Sequence, residues 1–392
     1  MVSESGGNGF SLRKLLRDDR FWKAAFQVLT LMGVCLVFAF LISNLNRNMA
    51  RQSIKFGFSF LSNPANFSIG ESVVEYRPQD SYAKALFVGL LNTLNLMTAG
   101  IVWATIVGIT AGVASFSQNW LVHKISRAYV GVIRNTPLLL QLFFWYFAIY
   151  GLLPRPQAQL SISNLIFLNN RAVYIPWPAN TSIAWASLGV LIVAGIAALI
   201  IWRWRIQVMV EKGASGKAQG MALMAIGAAA LIILVFGLGW QAPQGLEGGG
   251  ATGGLKLSRE YAAALTGLTC YTAAFIAEIV RAGIQSVSLG QWEAARSLGL
   301  APNVVMRLVV FPQALRVIIP PLNSEFMNLA KNTSLAFAIG FPELYSVATT
   351  TYSPTGRPVE VFLILMATYL TINLLISLGM NQLNQAVQFK ER

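Results

Sequence analysis

Charge is scarce in this chain, because only 11% of its 392 residues are Asp, Glu, Lys or Arg. Soluble domains carry roughly 25%, and here 55% of the residues are hydrophobic. The composition excludes an ordinary soluble domain and predicts an integral membrane protein. The formal charge of +14 does not indicate nucleic acid binding. The basic residues stand in short clusters between apolar runs and form no stripe with interleaved aromatics.

Cysteine and histidine are nearly absent as well. Cys35 and Cys270 both lie inside apolar runs, so neither a disulfide framework nor a Cys-x-x-Cys metal site is predicted. The single histidine, His123, has no Cys or His close to it in the sequence. We therefore predict no metal site and no cofactor bound by this chain.

Catalytic motifs are also missing. The chain has no HExxH, no GxSxG and no intramembrane carboxylate pair at a usable spacing, so a membrane-embedded enzyme is disfavoured. The segment EKGASGKAQ superficially resembles a nucleotide-binding P-loop. It has Glu211 where the first glycine is required and Ala218 where Ser or Thr is required. A nucleotide-binding P-loop is therefore not predicted in this chain.

Long apolar runs are what the chain has in abundance. A membrane-spanning helix needs about 20 mostly apolar residues. Pro320 and Pro321, near the start of the seventh run, predict a kink or a restart of that helix. The predicted fold class is an all-α integral membrane protein with about eight transmembrane helices. These runs cover residues 24–43, 86–115, 131–151, 182–202, 221–240, 260–280, 314–338 and 360–382.

The basic residues predict the orientation in the membrane. A basic tail at 1–23 precedes the run 24–43, which is longer than the roughly 7–15 residues of a signal-peptide core and is read as an extra N-terminal transmembrane helix. With the N-terminus inside, eighteen Lys and Arg fall on inner segments and ten on outer segments. Both termini are therefore predicted to be cytoplasmic.

Residues 152–259 form an inserted segment. Its edges are rich in Pro and Gly, with LLPRPQ at one end and QAPQGLEGGGATGG at the other. Glycine runs of this kind are typical of flexible linkers. Between these edges lie two of the predicted transmembrane helices.

One charged stretch, GQWEAARSLGLAP, interrupts the apolar sequence. At 100° per residue, Trp292, Ala295 and Leu298 share one side of a helix. Glu293 and Arg296 lie on the other side. Two interpretations remain open on these residues. The stretch is a short docking helix whose small residues let another backbone approach, or it is a helix lying on the membrane surface.

Glu293-Ala294-Ala295, followed by Gly299, resembles the EAA motif of ABC-importer permeases. The flanking segments at 273–300 and 311–336 resemble the polar amino acid subfamily, as do GLLNTL and IRNTPLLLQLFFWYF further upstream. Asn135 stands where that family commonly has Gly, and Phe275 where it has Tyr. The residues that the resemblance places on the coupling helix are Gln291, Trp292, Glu293, Ala294, Ala295, Arg296 and Gly299.

The resemblance covers 86–151 and 260–385, which it identifies as the two parts of a five-helix type I importer permease core. Within the second part, the coupling loop is 283–312. The extra helix and the insertion lie outside it, and an enlarged chain of this kind resembles the longer permease subunit of general L-amino acid transporters.

The resemblance implies an importer subunit in the bacterial inner membrane. Its expected partners are a cytoplasmic ABC ATPase dimer that binds ATP-Mg, a second and different permease chain, a periplasmic amino-acid-binding protein and membrane lipid. The alternative is an ion-coupled secondary amino acid transporter acting alone. That class predicts inverted repeats with broken helices in both halves, whereas Pro320-Pro321 has no counterpart.

Polar residues inside the apolar runs are candidates for the translocation pathway, since ionisable groups in a bilayer usually face a cavity or a bundle interior. The alternative is that these groups join helices by hydrogen bonds or ion pairs. For Glu325 and Lys331 the joining role is favoured, because K-[DN]-T-S resembles a feature of permeases with differing substrates. The candidates are Asn92, Thr93, Gln141, Ser324, Glu325, Asn328, Lys331 and Asn332.

A bracing role is the hypothesis for three further charged residues. Glu278 and Arg281 are three residues apart on one helix face and form an ion pair in one interpretation. In the other, Arg281 reaches to the lipid headgroups. Arg134 opens the third helix, where Thr136 is expected to cap it and Pro137 to occupy its first turn.

Overall fold

A computed structural model describes residues 19–51, 56–211 and 215–388. Most of the predicted tail at 1–23, as well as the last four residues, lies outside this part of the chain. Within the described residues, six helices are long and apolar enough to cross a membrane, or seven if one bent pair counts as a single span. The helical membrane fold predicted from composition is confirmed.

The six helices coincide with six of the predicted runs. The labels α3 and α4 belong to the bent pair described below, and α8 to α11 to short or more polar helices between the spans, of which α9 is Pro302–Val305. The six are α1 Asp19–Arg51, α2 Tyr82–Ala114, α5 Ser182–Glu211, α6 Lys217–Ile232 with a π-helical extension Ile233–Gly237, α7 Arg259–Gln285 and α12 Pro358–Val387.

The run predicted as one span at 131–151 is broken. It contains the end of α3 (Trp120–Arg134) and all of α4 (Leu138–Phe143), which continues as a π-helix Phe144–Tyr150. The chain bends by 109° between the two helices. Pro137 lacks an N–H and disfavours helical backbone in the residue before it, so the chain turns here.

The cap predicted for α4 is wrong. Pro137 itself is the N-cap residue, and no side chain caps the helix. Thr136 instead donates its hydroxyl back to the carbonyl of Val132 at 2.9 Å. This bond gives the carbonyl of Val132 a partner at the end of α3, since the N–H of Thr136 donates to Ile133 instead.

The run predicted at 314–338 falls on α10 (Phe311–Asn332) and the 3-10 helix Thr333–Ile339. It is not among the six most apolar spans. Pro320 and Pro321 lie inside α10, so the restart predicted there is wrong. The neighbouring side chains of Ile318, Ile319 and Leu322 are buried in the core, and this packing stabilises α10 where two backbone hydrogen bonds are missing.

Short strands in the inserted segment were not predicted. Four of them form an antiparallel sheet in the order β1-β2-β3-β8: Leu160–Ile162, Ile166–Leu168, Ala172–Ile175 and Leu255–Ser258. In its longest register, Ala172 pairs with Ser258 and Ile175 with Leu255. Two-residue strands make two further pairs, β4 Trp177–Pro178 with β5 Trp240–Gln241 and β6 Gln244–Gly245 with β7 Ala251–Thr252.

The helical core is built on the contact between α2 and α7. A Cβ added at Gly108 would lie 2.6 Å from the Cβ of Ile276, and one at Gly112 would lie 2.7 Å from that of Val280. Only glycine lets two helix backbones approach this closely. The same cluster extends to Ile318 on α10.

Three of the six spanning helices stand outside this core. In the most apolar window of α1 and of α6 no residue is buried, and in α5 only 6% are, whereas 61% are buried in α7. Helices α1, α5 and α6 therefore contribute almost nothing to the buried core.

Replacement of Gly108 by Ala is expected to lower the free energy of unfolding by about 1–3 kcal/mol, because the added methyl overlaps the side chain of Ile276. The thermal midpoint of the purified chain in detergent measures this. Gly379→Ala on α12 is the control, since nothing lies within 4 Å of its position. Equal midpoints for the two variants would contradict the close packing.

Candidate coupling and translocation site

The stretch GQWEAARSLGLAP forms a short helix, α8, at Leu289–Ser297. Its end is set by Gly299, whose φ of +69° is left-handed. The N–H of Gly299 donates to the carbonyl of Arg296 at 2.9 Å, and that of Leu300 to the carbonyl of Ala295 at 3.4 Å. This is the Schellman ending, which favours glycine because an L side chain is strained there.

One side of α8 is fixed to the rest of the protein. Ala295 is buried, and Trp292 packs partly buried against the core cluster. Gln291 accepts a hydrogen bond from the Gln313 side chain at 3.1 Å, which links α8 to the first turn of α10. Leu298 was expected on the same side as Trp292, yet it is 78% exposed, because the helix has already ended before it.

The other side of α8 is a free surface in this chain. Glu293, Ala294 and Arg296 are exposed there, and Leu289 is as exposed as Leu298. Since no part of the described chain covers this side, it is free to contact another protein or the membrane surface.

The three residues with a predicted bracing role, Arg134, Glu278 and Arg281, lie close together in the structure. Arg281 donates from Nε to Glu278 at 3.1 Å and makes a second, shorter bond to the same carboxylate. It also donates to Gln285 at 3.0 Å. Arg134 approaches Glu278 at 3.8 Å and stacks over the ring of Phe275 at 5.2 Å. The ion-pair interpretation is the one that the geometry supports.

Asn92 and Thr93 are fully buried and hold the turn that follows the 3-10 helix. The Asn92 amide donates to the carbonyls of Glu71 at 2.8 Å and Pro342 at 2.9 Å. The Thr93 hydroxyl accepts from the N–H of Leu344 at 3.0 Å. Both therefore join distant segments, which supports the hydrogen-bonding interpretation.

Gln141 has a similar role at the bend between α3 and α4. Its amide donates to the carbonyls of Ile133 and Thr136, each at 3.0 Å. The carbonyl of Ile133 is in the last turn of α3 and that of Thr136 is in the turn itself, so the buried amide satisfies groups that the turn at Pro137 leaves without helical partners.

The predicted polar residues of α10, called here the polar stripe, are less buried than Asn92, Thr93 and Gln141. Ser324, Asn328 and Lys331 are exposed, while Glu325 and Asn332 are half-buried. Within the described part of the chain, neither Glu325 nor Lys331 forms an ion pair. A groove of about 350 Å³ lies beside Lys331, with Tyr345 and Tyr369 among its walls. This stripe is the surface of the core that is least suited to lipid.

Glu343 is a further buried polar residue, and it was not among the residues predicted from sequence. This residue is fully buried and caps α11 (Leu344–Thr355), where its carboxylate accepts from the N–H of Tyr345 at 2.8 Å and of Ser346 at 2.7 Å. Tyr369 on α12 donates to it at 3.0 Å. An acidic residue directly before a helical pattern was the available signal.

Similarity to known proteins shows which protein family this chain belongs to. The family described as "Binding-protein-dependent transport system inner membrane component" matches residues 221–389. The putative amino-acid ABC transporter permease protein YhdX of Escherichia coli is 41% identical over 94% of this chain and 94% of its own length. The chain belongs to the amino acid ABC transporter permeases.

A second relative of this permease is the general L-amino acid transport system permease protein AapQ of Rhizobium johnstonii. It is 38% identical over 98% of this chain and 97% of its own length. A solved amino acid ABC transporter with histidines is 22% identical, with a TM-score of 0.47, over 78% of this chain and 95% of that one.

Family membership decides between the two predicted classes of transporter. The permease is the membrane component of an ATP-binding-cassette importer for amino acids, as the EAA resemblance implied. The alternative of an ion-coupled transporter acting alone is thereby set aside. The family description names a transport component and no catalytic reaction.

The Glu343 carboxyl predicts a pH dependence of stability. Burial raises the pKa of Glu343 to about 7 from its ordinary 4.5. The folded permease therefore keeps a proton that the unfolded chain releases, so stability is highest below pH 4.5 and falls by about 3 kcal/mol as the pH rises to about 7.

Thermal midpoints of the purified permease at pH 5 and pH 8 test this expectation. The midpoint should be lower at pH 8. Glu343→Gln keeps an acceptor for the helix N–H groups but does not titrate, so its two midpoints should differ less. An equal pH response in the variant would show that other groups are responsible.

Proposed function

We propose that α8 is the coupling helix, through which a separate cytoplasmic ATPase dimer drives the permease. The single observation that carries this proposal is the division of α8 into two faces. Trp292 and Ala295 anchor it to the core, and Glu293, Ala294 and Arg296 are exposed. A helix that is anchored on one side and free on the other transmits force without generating it.

The orientation follows from the same proposal. If α8 meets a cytoplasmic ATPase, the end of α7 that leads into it is cytoplasmic, and the excess of Lys and Arg on the same side agrees with the positive-inside rule. We accordingly place the permease in the bacterial inner membrane with both termini in the cytoplasm. Substrate would then arrive from a periplasmic amino-acid-binding protein.

A second permease chain is proposed to cover the polar stripe of α10. Exposed Lys331, together with Ser324 and Asn328, would be costly against hydrocarbon. A facing chain would enclose a polar route between the two. The extra helix α1 and the inserted hairpin α5–α6 make this chain longer than the five-helix core, which favours a partner that is a different chain.

Glu293→Lys and Gly299→Asp are expected to abolish amino acid uptake and to reduce copurification of the ATPase. The first reverses an exposed charge on α8, and the second forces a side chain into the left-handed backbone at φ +69°. Uptake in cells and pull-down through a tag on the permease measure the two effects.

Two matched controls accompany these variants. Glu247→Lys makes the same charge change at an exposed position of the insertion, and Gly356→Asp imposes the same backbone strain at φ +63° away from α8. Both should keep uptake and copurification. Normal recovery of the ATPase with Glu293→Lys and with Gly299→Asp would contradict the proposed coupling helix.

Lys331→Met is expected to lower the maximal rate of uptake by about tenfold, because the described chain offers this ammonium no ion-pair partner and we place it on the route. Recovery of the ATPase should stay normal. Lys256→Met, at an exposed position of β8, is the control. Loss of the assembled complex would instead indicate a role in joining chains, and unchanged uptake would exclude both roles.

A further inference from the structure

A basic cavity of about 420 Å³ lies between α2, α3 and α7. Arg127 and Arg134 on α3 and Arg281 on α7 line it, and Glu278 is the acidic residue of its wall. Small-molecule sites commonly measure about 300–1,000 Å³. The cavity is therefore large enough for an amino acid and carries an excess of positive charge.

The excess is not neutralised by the surrounding residues. Glu278 is bound by Arg281 and lies 3.8 Å from Arg134. Arg127 has neither an ion pair nor a side-chain hydrogen bond within the described residues. Three guanidinium groups around one carboxylate favour an incoming oxyanion, since Arg binds carboxylates through charge-assisted, bidentate hydrogen bonds.

The cavity faces away from the side of α3 that suits lipid. Leu121, Ile125 and Val132 form the outer face of α3 and are 55%, 60% and 64% exposed. None of them lines the cavity, and Ile125 lines a separate apolar groove against α2. The arginines project from the opposite face of the same helix, as expected for an amphipathic helix with one face in hydrocarbon.

The cavity is connected to α10 and α8 through α7. Glu278 and Arg281 on α7 line the cavity, and Gly283 of the same helix packs against Ile318 of α10. Arg281 is one turn from the end of α7, beyond which the chain enters α8. The helix that forms one wall of the cavity therefore packs against the helix of the proposed route and leads into the proposed coupling helix.

We propose that this cavity is a carboxylate site on the translocation route, in which Arg127 and Arg134 bind the amino acid in transit. The inference rests on the route proposed above. The positive excess would favour acidic and neutral amino acids over cationic ones, which makes Arg127 and Arg134 specificity-determining residues.

Equilibrium binding of L-glutamate tests the proposal, because this probe carries two carboxylates. The intact transporter is isolated through a tag on the permease and placed in nanodiscs of phosphatidylcholine, without the binding protein. Arg127→Gln is expected to weaken glutamate binding by about tenfold. Arg127→Lys, which keeps the charge, should weaken it less. Lys124→Gln removes a charge from α3 outside the cavity and should leave binding unchanged.

Two results would overturn the proposal. One is glutamate binding that is the same in Arg127→Gln and Arg134→Gln as in the unaltered transporter. The other is displacement of glutamate by added phosphatidylglycerol in the unaltered transporter but not in Arg127→Gln, which would assign the cavity to a lipid phosphate. Uptake by the unaltered transporter, measured in parallel, fails only if the proposed import function itself is wrong.

Discussion

The contact between α2 and α7 positions every candidate site in this permease. At Gly108 and Gly112 the two helices touch through backbone, since a single added Cβ would overlap Ile276 or Val280. From this contact α7 continues towards α8. On the other side, Ser126 donates to the carbonyl of Ala111 at 2.6 Å and attaches α3 to α2. The basic cavity is the space that these two attachments leave between the three helices.

The features that could be predicted from sequence are those set by long, regular patterns. Bilayer thickness demands about 20 apolar residues, so α1, α2 and α12 could be located from hydrophobicity alone. The end of α8 at Gly299 is a local property as well, because glycine favours the left-handed backbone found there. The stripe on α10 was equally accessible, because a period of 3.6 residues determines which residues share a face.

The features that were missed depend on short or long-range interactions. The run 131–151 has the composition of one span. However, Pro137 has no N–H to continue the helix, and the amide of Gln141 stabilises the sharp turn that results. Strands of two to four residues leave too little pattern for detection. The environment of Glu343 depends on Tyr369, 26 residues further along the chain, and hydrophobicity carries no information about such a contact.

Charge within the membrane-spanning helices is unevenly distributed. Between residues 24 and 43 of α1, and between 218 and 237 of α6 and its extension, the sequence has no charged residue. The core helices α7 and α10, in contrast, carry Glu278, Arg281 and Lys331. Since a charge is tolerated at membrane depth only where water or a partner solvates it, the charge-free stretches of α1 and α6 suit contact with lipid. The charged side chains of α7 and α10 instead require a polar partner or water at their positions.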